Sequence, residues 1–294
     1  MHVHASSVEN FGAPPTFICA PFAFWPAWDP QTGLTGLTDT VFKKPPCTNP
    51  LKAPSTDEEN RIRTLGILEE QNIMALTGGP KVQAWKAAGK DRILVALNDI
   101  PSGSVESLRN RLKQKEIADF AELAPAYKGK APGDPSMEPY YALAEEFDIP
   151  VGIHMGLAPP GASYFMPNDY RARRQASLLL LEDLLVRHPK LRVWAMHAGW
   201  PLLDDAIATL FAHPQLYVDV AGICYIIPRA DFYHYLNRLI EAGFESRIMF
   251  GSDNVIWPDA IPVAIQSIKD APFLTSEQKR DILYNNAARF LRLK

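Results

Sequence analysis

The sequence predicts an α/β fold in which eight parallel strands alternate with helices and close into a (β/α)8 barrel. The chain has 294 residues, and a barrel of this kind commonly needs about 250. Eight short apolar runs are separated by segments with a helical period. Nearly every potential metal ligand stands at the end of such a run, where the active sites of TIM barrels lie. We therefore expect a single domain over residues 1–294.

The first strand is predicted in the M-H-V-H start, and a long loop rich in proline and aromatic residues follows it over Ala5–Pro54. The loop carries many of the 26 prolines, and proline at this density opposes regular structure. A helix is predicted to begin at Thr56, with Glu59 in the spacing of a capping box. The last helix follows Thr275, with Gln278 in the same spacing.

Seven further runs are predicted as buried parallel strands, because they are short, apolar and bounded by turn residues. They are Ile73–Leu76, Ile93–Leu97, Ile117–Leu123, Val151–His154, Leu191–His197, Leu216–Val220 and Ile248–Phe250. The segments with a helical period between them include Val105–Gln114, Met137–Phe147, Tyr170–Arg187, Leu202–Phe211 and Phe232–Ala242. Regular alternation favours a closed barrel over an open sheet.

The composition narrows the range of partners. The net charge is −3 and no basic block is present, so no nucleic-acid partner is expected. No apolar run approaches the roughly 18 residues of a spanning helix, so no membrane partner is expected. The spacing of Cys19, Cys47 and Cys224 fits neither a disulfide framework nor a zinc motif. We therefore expect free thiols, a cytoplasmic location and a small-molecule substrate, and a homo-oligomer stays open.

Six residues that can bind a metal occur at or near the ends of predicted strands. They are His2, His4, Glu122, His154, His197 and Asp253. Parallel strands that end in ligands direct those side chains to one rim of the barrel, which is the geometry of a metal site. The two histidines of the H-x-H pair share one face of a strand, so both imidazoles can bind one ion at about 2.0–2.1 Å.

Each candidate ligand also has an ordinary structural interpretation. The H-x-H pair could be exposed at the chain terminus, and His154 or His197 could be a core histidine that bonds a backbone carbonyl. Asp253 could be a turn residue, and Glu122 could pair with Lys128 or with an arginine. The repeated position of all these residues at strand ends favours the metal site.

The order of these ligands resembles that of the amidohydrolase superfamily. The segments M-H-V-H, P-V-G-I-H-M-G, M-H-A-G-W-P, I-M-F-G-S-D and N-N-A-A-R-F-L resemble its type 2 branch. The resemblance implies a metal-dependent TIM-barrel enzyme. It makes metal ligands of His2, His4, His154 and Asp253. It makes His197 either a ligand of a second ion or the group that polarises the substrate. No lysine ends the fourth strand, so Glu122 replaces the carboxylated lysine of some members as the candidate bridge.

Our hypothesis is a hydrolase that acts on a small organic substrate. It would use one or two divalent ions, and we expect the metal to be Zn²⁺. Asp253 would act as the general base toward a metal-activated water, and His197 would stabilise the developing negative charge. Two alternatives stay open. One is a non-oxidative decarboxylase of a small unsaturated or aromatic carboxylic acid, because the same branch contains carboxy-lyases. The other is a non-catalytic metal-binding barrel.

Four tryptophans are candidates for contact with the substrate. They are Trp25, Trp28, Trp200 and Trp257, which lie in the long loop or just past strand ends. Aromatic side chains at such positions line many ligand pockets. They can equally well anchor a loop to the barrel, and the sequence does not separate the two roles.

Overall fold

The computed structural model describes residues 1–98, 104–164, 166, 171 and 176–293. Its strands are β1 (His2–His4), β2 (Phe17–Ile18), β3 (Leu51–Lys52), β4 (Ala75–Gly78), β5 (Ile93–Val95), β6 (Phe120–Leu123), β7 (Val151–His154), β8 (Val193–Met196), β9 (Tyr217–Asp219) and β10 (Ile248–Met249). The pair β2–β3 is antiparallel and lies outside the barrel. All eight predicted barrel strands are present, with ends that differ by a few residues from the predicted ones.

The barrel strands form two parallel sheets, ordered β1-β4-β5 and β10-β9-β8-β7-β6. Backbone hydrogen bonds join the sheets at both junctions. The amide of Leu97 donates to the carbonyl of Asp119 at 2.9 Å, and the amide of Ser252 donates to the carbonyl of His2 at 3.1 Å. The carboxyl ends of parallel strands meet at one rim of such a barrel, so the ends of β1, β6, β7, β8 and β10 lie near one another.

Helices cover the outside of the strands, as parallel strands require because both of their faces are buried. The main helices of the described part are Asp57–Glu70, Val82–Gly89, Val105–Lys113, Glu138–Glu146, Glu182–Arg187, Leu203–Ala212, Arg229–Glu241 and Ala260–Lys269. Shorter helices are Ile223–Ile226, Ser276–Arg280 and Asn286–Phe290, the last two joined by a π-turn. None of the helices in these described ranges is long and apolar enough to cross a membrane.

Side-chain caps fix two helix starts where the sequence predicts them. The hydroxyl of Thr56 accepts from the amide of Glu59 at 3.2 Å, and the Glu59 carboxylate accepts from the amide of Ser55 at 2.9 Å. Thr275 and Gln278 form the complete reciprocal capping box. Such caps satisfy amide groups that the first helical turn leaves without partners.

The long loop after β1 contains more regular structure than predicted. Besides β2 and β3 it holds the helix Gly33–Phe42, which buries Leu37, Val41 and Phe42. The prediction of an irregular segment was wrong here because the prolines lie on either side of residues 31–44, and none lies within them. An uninterrupted segment with apolar residues at helical spacing can form a helix against the barrel.

The structure describes only part of the predicted helix Tyr170–Arg187. Residues 167–170 and 172–175 lie outside the described residues. The described remainder has a 3-10 turn at Leu178–Leu181, and the α-helix proper is Glu182–Arg187. Leu178 and Leu181 are both buried, so this leucine-rich turn packs against the barrel just before the α-helix.

The expectation of three free thiols was wrong. Cys19 and Cys47 form a disulfide with a Cα–Cα distance of 5.9 Å, and Cys224 is a buried free thiol. The antiparallel pairing of Ile18 with Leu51 draws the two cysteines together across a separation of 28 residues. No spacing motif signals such a pairing. Disulfides persist in oxidising compartments, so this one argues against the reducing, cytoplasmic location expected from the sequence.

We predict that Cys47→Ser destabilises the protein by about 3–4 kcal/mol, because the disulfide restricts the unfolded chain over a loop of this length. Denaturant unfolding with and without a thiol reductant measures the effect. Reductant should destabilise the wild type and leave Cys47→Ser unchanged. Equal stability of the oxidised wild type and the variant would contradict the stabilising role.

Candidate metal centre

All six predicted ligands lie together at the carboxyl rim of the barrel. Their donor atoms form two groups, each with its atoms within 4.8 Å of one another. The first group, which we call site A, is His2, His4, Glu122 and Asp253. The second, site B, is Glu122, His154 and His197. Glu122 belongs to both groups because one of its carboxylate oxygens lies near His2 and His4 and the other lies near His154 and His197.

The donor atoms of site A are spaced like the ligands of a single ion. The Nε2 atoms of His2 and His4 are 3.0 Å apart. His4 Nε2 lies 2.9 Å from Glu122 Oε2 and 3.1 Å from Asp253 Oδ1, and His2 Nε2 lies 3.6 Å from Glu122 Oε2. Two atoms at these separations, each about 2.1 Å from a shared ion, subtend roughly 90–120°. The residues of site A therefore fit a divalent metal.

Site B uses the other oxygen of the same carboxylate. Glu122 Oε1 contacts His154 Nδ1 and lies 3.0 Å from His197 Nε2. The two ring nitrogens are 2.9 Å apart. Because Oε2 faces site A and Oε1 faces site B, Glu122 has the arrangement of a bridging ligand. The residues present thus fit two divalent ions that share one carboxylate.

The second ring nitrogens of the site B histidines have partners of their own. His197 Nδ1 lies 2.9 Å from the carbonyl of Ala221, to which it donates. His154 Nε2 lies 3.0 Å from the hydroxyl of Tyr127. Such outer contacts orient metal-binding histidines and select the tautomer that leaves the other nitrogen free to ligate. Sequence reasoning missed Tyr127, because an aromatic residue in a loop carries no spacing signal.

Both candidate catalytic residues, His197 and Asp253, have left-handed backbone conformations. The φ angle is 63° at His197 and 49° at Asp253. Non-glycine residues adopt such angles rarely, and they recur at functional sites where the surrounding structure holds them. Gly222, with φ of +71°, lies against both. A Cβ atom there would stand 3.1 Å from Asp253 Oδ2 and 3.6 Å from His197 Nδ1. Glycine therefore keeps this wall of the site open.

The site balances its own charge in the metal-free protein. Burial favours the neutral form of Glu122, but the charge of His154 and hydrogen bonds from His154, His197 and His4 outweigh it and hold the pKa of Glu122 well below its ordinary value. Burial also favours neutral His4, yet hydrogen bonds with Asp253 and Glu122 raise the pKa of His4 to about 10. Burial is likewise outweighed at His197, where Glu122 raises the pKa to about 10.

Two of the candidate tryptophans have structural partners. Trp257 is 1% exposed and stacks against Phe11 and Phe42 at centroid distances of 5.2 and 6.0 Å. This burial favours the role of an anchor for the long loop. The indole N–H of Trp200 donates to Asp231 at 3.0 Å, which ties the loop after β8 to the helix Arg229–Glu241.

The other two candidate tryptophans lie at the surface of the long loop. Trp25 is 39% exposed and stacks on the buried Phe22 at 4.8 Å. Trp28 packs at 5.4 Å from the ring of Tyr164, which is 66% exposed. The amide of Phe22 donates to the carbonyl of Ile226, just past β9. The loop is therefore held on the carboxyl side of the barrel, on the same side as the metal ligands.

Comparison with known families identifies the class of protein. The model of the type 2 amidohydrolase family, described as Amidohydrolase, matches residues 1–293. The chain therefore belongs to this family, which confirms the resemblance seen in the ligand order. A search of curated protein sequences gives no significant match.

Several solved structures are similar in fold. An uncharacterised TIM-barrel protein of Bordetella bronchiseptica has 17% identity and a TM-score of 0.57, with 82% of this chain and 86% of that chain covered. A probable 2-pyrone-4,6-dicarboxylic acid hydrolase of Acinetobacter baumannii has 17% identity and a TM-score of 0.57, with 79% and 89% covered. A dihydroxybenzoic acid decarboxylase of Polaromonas sp. JS666 with bound manganese has 14% identity and a TM-score of 0.56, with 79% and 85% covered. These similarities support the barrel fold.

The family and the ligand set together define an enzyme of the amidohydrolase type with a divalent-metal site. The structures of similar fold include one named as a probable hydrolase and one named as a decarboxylase, so the fold leaves the reaction open. The imidazole and carboxylate donors suit zinc and also other divalent transition metals.

We predict that Glu122→Gln lowers the metal content from two equivalents toward one. A neutral amide cannot supply two anionic oxygens to two ions, so one site should lose most of its affinity. Elemental analysis of zinc-reconstituted protein without a histidine tag gives the stoichiometry. Glu145→Gln is the matched control, because Glu145 pairs with His188 away from the rim. Unchanged stoichiometry in Glu122→Gln would contradict the bridging role.

We predict that zinc binding at pH 7 releases protons and strengthens as the pH rises. In the metal-free protein the pKa values of His4 and His197 are about 10, so both rings are protonated at pH 7 and must lose a proton to ligate. The apparent affinity should rise by up to about tenfold per pH unit for each proton displaced, and this rise should end near pH 10. Calorimetry in buffers of different ionisation enthalpy counts the protons. Binding without proton release would contradict the charge balance of the site.

Proposed function

We propose that the protein is a metal-dependent hydrolase that acts on a small organic substrate, with zinc as the resident metal. The observation that carries the proposal is the pair of ligand groups that share the carboxylate of Glu122. Two-ion sites with closely spaced metals are typical of hydrolytic enzymes such as phosphatases, nucleases and aminopeptidases. When bound, a divalent ion polarises a carbonyl-type oxygen and lowers the pKa of a coordinated water.

Asp253 would act as the general base. Its carboxylate faces His4 at the mouth of the barrel and keeps 17% of its side chain exposed. Its backbone is held on both sides, because its amide donates to the carbonyl of His2 at 3.2 Å and its carbonyl accepts from the Tyr225 hydroxyl at 3.0 Å. A carboxylate held in this way can take the proton of the attacking water and pass it to the leaving group.

The role of His197 depends on the number of ions. Its Nδ1–H donates to the carbonyl of Ala221, so Nε2 carries a lone pair when the ring is neutral and can complete site B. If only site A is filled, His197 would be free to hold a proton on Nε2, which lies 3.0 Å from Glu122 Oε1. Its Nε2–H can then donate to a substrate oxygen on which negative charge develops. Either state supports attack on a carbonyl-type carbon.

The aromatic residues of the long loop support a class of substrate. The exposed ring of Trp25 and the partly exposed ring of Trp28 lie on the loop at the carboxyl side of the barrel. Apolar and aromatic walls with a few polar groups are typical of small-molecule pockets. We therefore propose a substrate with a hydrolysable carbonyl group and an aromatic or apolar part.

Non-oxidative decarboxylation is the second candidate. The Polaromonas structure is named as a dihydroxybenzoic acid decarboxylase, and the Acinetobacter structure as a probable hydrolase, so both chemistries occur on this fold. In a decarboxylase, Asp253 or His197 would protonate the carbon that loses carbon dioxide. The two reactions differ in their products. Hydrolysis adds an oxygen atom from water, whereas decarboxylation releases carbon dioxide.

The proposal is tested with zinc-loaded protein and a panel of lactones, amides, esters and aromatic carboxylic acids in ¹⁸O-labelled water. Mass spectrometry of the products is expected to show one ¹⁸O atom per turnover. Release of carbon dioxide from an aromatic acid without ¹⁸O in the organic product would establish the second candidate instead. The Glu122→Gln variant serves as the control for adventitious metal catalysis.

For any substrate found, we predict that Asp253→Asn lowers kcat by about 10²–10⁴-fold, because the amide keeps the shape but cannot accept the proton. Metal content should fall less, since three other ligands of site A remain. Steady-state kinetics of the metal-loaded variant gives the answer, with Asp259→Asn as the control because Asp259 pairs with Arg63 on the surface. Turnover within a few-fold of the wild type would place the catalytic base elsewhere.

A further inference from the structure

Asp219 is a fully buried carboxylate that the ligand set does not include. It ends β9 and is 0% exposed. Its Oδ1 accepts two backbone hydrogen bonds, from the amide of His197 at 2.9 Å and from the amide of Ala221 at 3.0 Å. One oxygen therefore fixes the segment that carries His197 and the carbonyl that accepts from the His197 ring.

The other oxygen of Asp219 faces a metal ligand. Oδ2 and His2 Nδ1 are both buried, and neither has a hydrogen-bond partner within the described residues. They lie 3.7 Å apart, about 0.8 Å beyond the usual N–H···O distance of ~2.9 Å. A carboxylate and an imidazole buried against each other without other partners stabilise each other only when the nitrogen carries the proton.

Gly251 makes this approach possible. A Cβ atom at residue 251 would lie 2.8 Å from His2 Cβ and 3.3 Å from Asp219 Oδ2. Any side chain there would separate the imidazole from the carboxylate. Gly251 therefore leaves room for the contact between His2 and Asp219, although it contributes no polar group itself.

We propose that Asp219 is a positioning residue for the metal centre, which selects the His2 tautomer with the proton on Nδ1. That tautomer leaves the lone pair on Nε2, the atom that lies 3.0 Å from His4 Nε2 in site A. With its two oxygens, Asp219 couples the orientation of His2 on β1 to the backbone of His197 after β8. The inference rests on the proposed function in one respect, which is that His2 must be a metal ligand.

Asp219→Asn separates the two roles of this side chain. The two backbone amides need an acceptor, so the amide oxygen takes the place of Oδ1 and the NH₂ group takes the place of Oδ2. The NH₂ group can only donate, which favours His2 with a lone pair on Nδ1 and a proton on Nε2. The variant thus keeps the backbone contacts and selects the tautomer that cannot bind metal through Nε2.

Zinc titration by calorimetry and ¹⁵N NMR of the histidine rings test the proposal. We expect Asp219→Asn to weaken binding at site A by about 10–100-fold, which is the usual effect of removing an outer partner of a metal-binding histidine. The His2 signal should change from the Nδ1-protonated to the Nε2-protonated tautomer. Unfolding of the metal-free variant should stay within about 3 °C of the wild type. Asp119→Asn is the matched control, because Asp119 is equally buried but has Trp194, Gly152 and Arg192 as its neighbours instead of a metal ligand.

The outcomes distinguish this inference from the proposed function. Wild-type protein that binds no zinc would overturn both. Wild-type protein that binds zinc, together with equal affinity in Asp219→Asn, would overturn the positioning role alone. If Asp219→Asn does not fold, the tautomer of His2 in zinc-loaded wild-type protein decides the question. A proton on Nδ1 supports the role of Asp219, and His2 coordination through Nδ1 or a proton on Nε2 excludes it.

Discussion

The carboxylate of Glu122 is the contact on which the rest of the site depends. It is almost fully buried, and a buried charge is costly unless opposite charge and hydrogen bonds compensate it. In the metal-free protein the compensation comes from His4, His154 and His197, which approach it from three other strands. Metal ions would supply the same positive charge and displace the protons. Protons on these imidazoles and divalent ions are thus alternative ways to compensate one buried carboxylate.

The barrel geometry explains why the ligands come from so many parts of the chain. Apart from β1, which is His-Val-His, the barrel strands are short and largely apolar, and the candidate ligands stand at or near their carboxyl ends, where side chains reach the rim. Hydrogen bonds between successive strands, and between Ser252 and His2, fix the relative heights of those ends. The loops after the strands also orient two of the side chains. The left-handed backbone at His197 and Asp253 turns both side chains into the centre, and Gly222 leaves space for them.

The sequence predicts the barrel and the six ligands because the two signals coincide, an apolar run of strand length and a ligand at its end. It predicts contacts across the fold poorly. The Cys19–Cys47 pair depends on the antiparallel pairing of β2 with β3, two short strands that composition does not reveal. The contact between the Tyr127 hydroxyl and His154 depends on how the segment after β6 folds. Asp219 did carry a signal, as a single carboxylate inside the apolar run L-Y-V-D-V, but only the structure shows that it faces His2.

Asp219 and Asp253 illustrate how the surroundings divide the work between two similar side chains. Asp253 lies at the mouth, partly exposed, with its carboxylate in the ligand group, so it can exchange a proton with water. Asp219 is fully buried, and one of its oxygens accepts hydrogen bonds from two backbone amides. Its other oxygen faces His2 Nδ1. Asp219 is therefore suited to hold a ligand in one tautomer and Asp253 to move a proton, although the two residues have the same functional group.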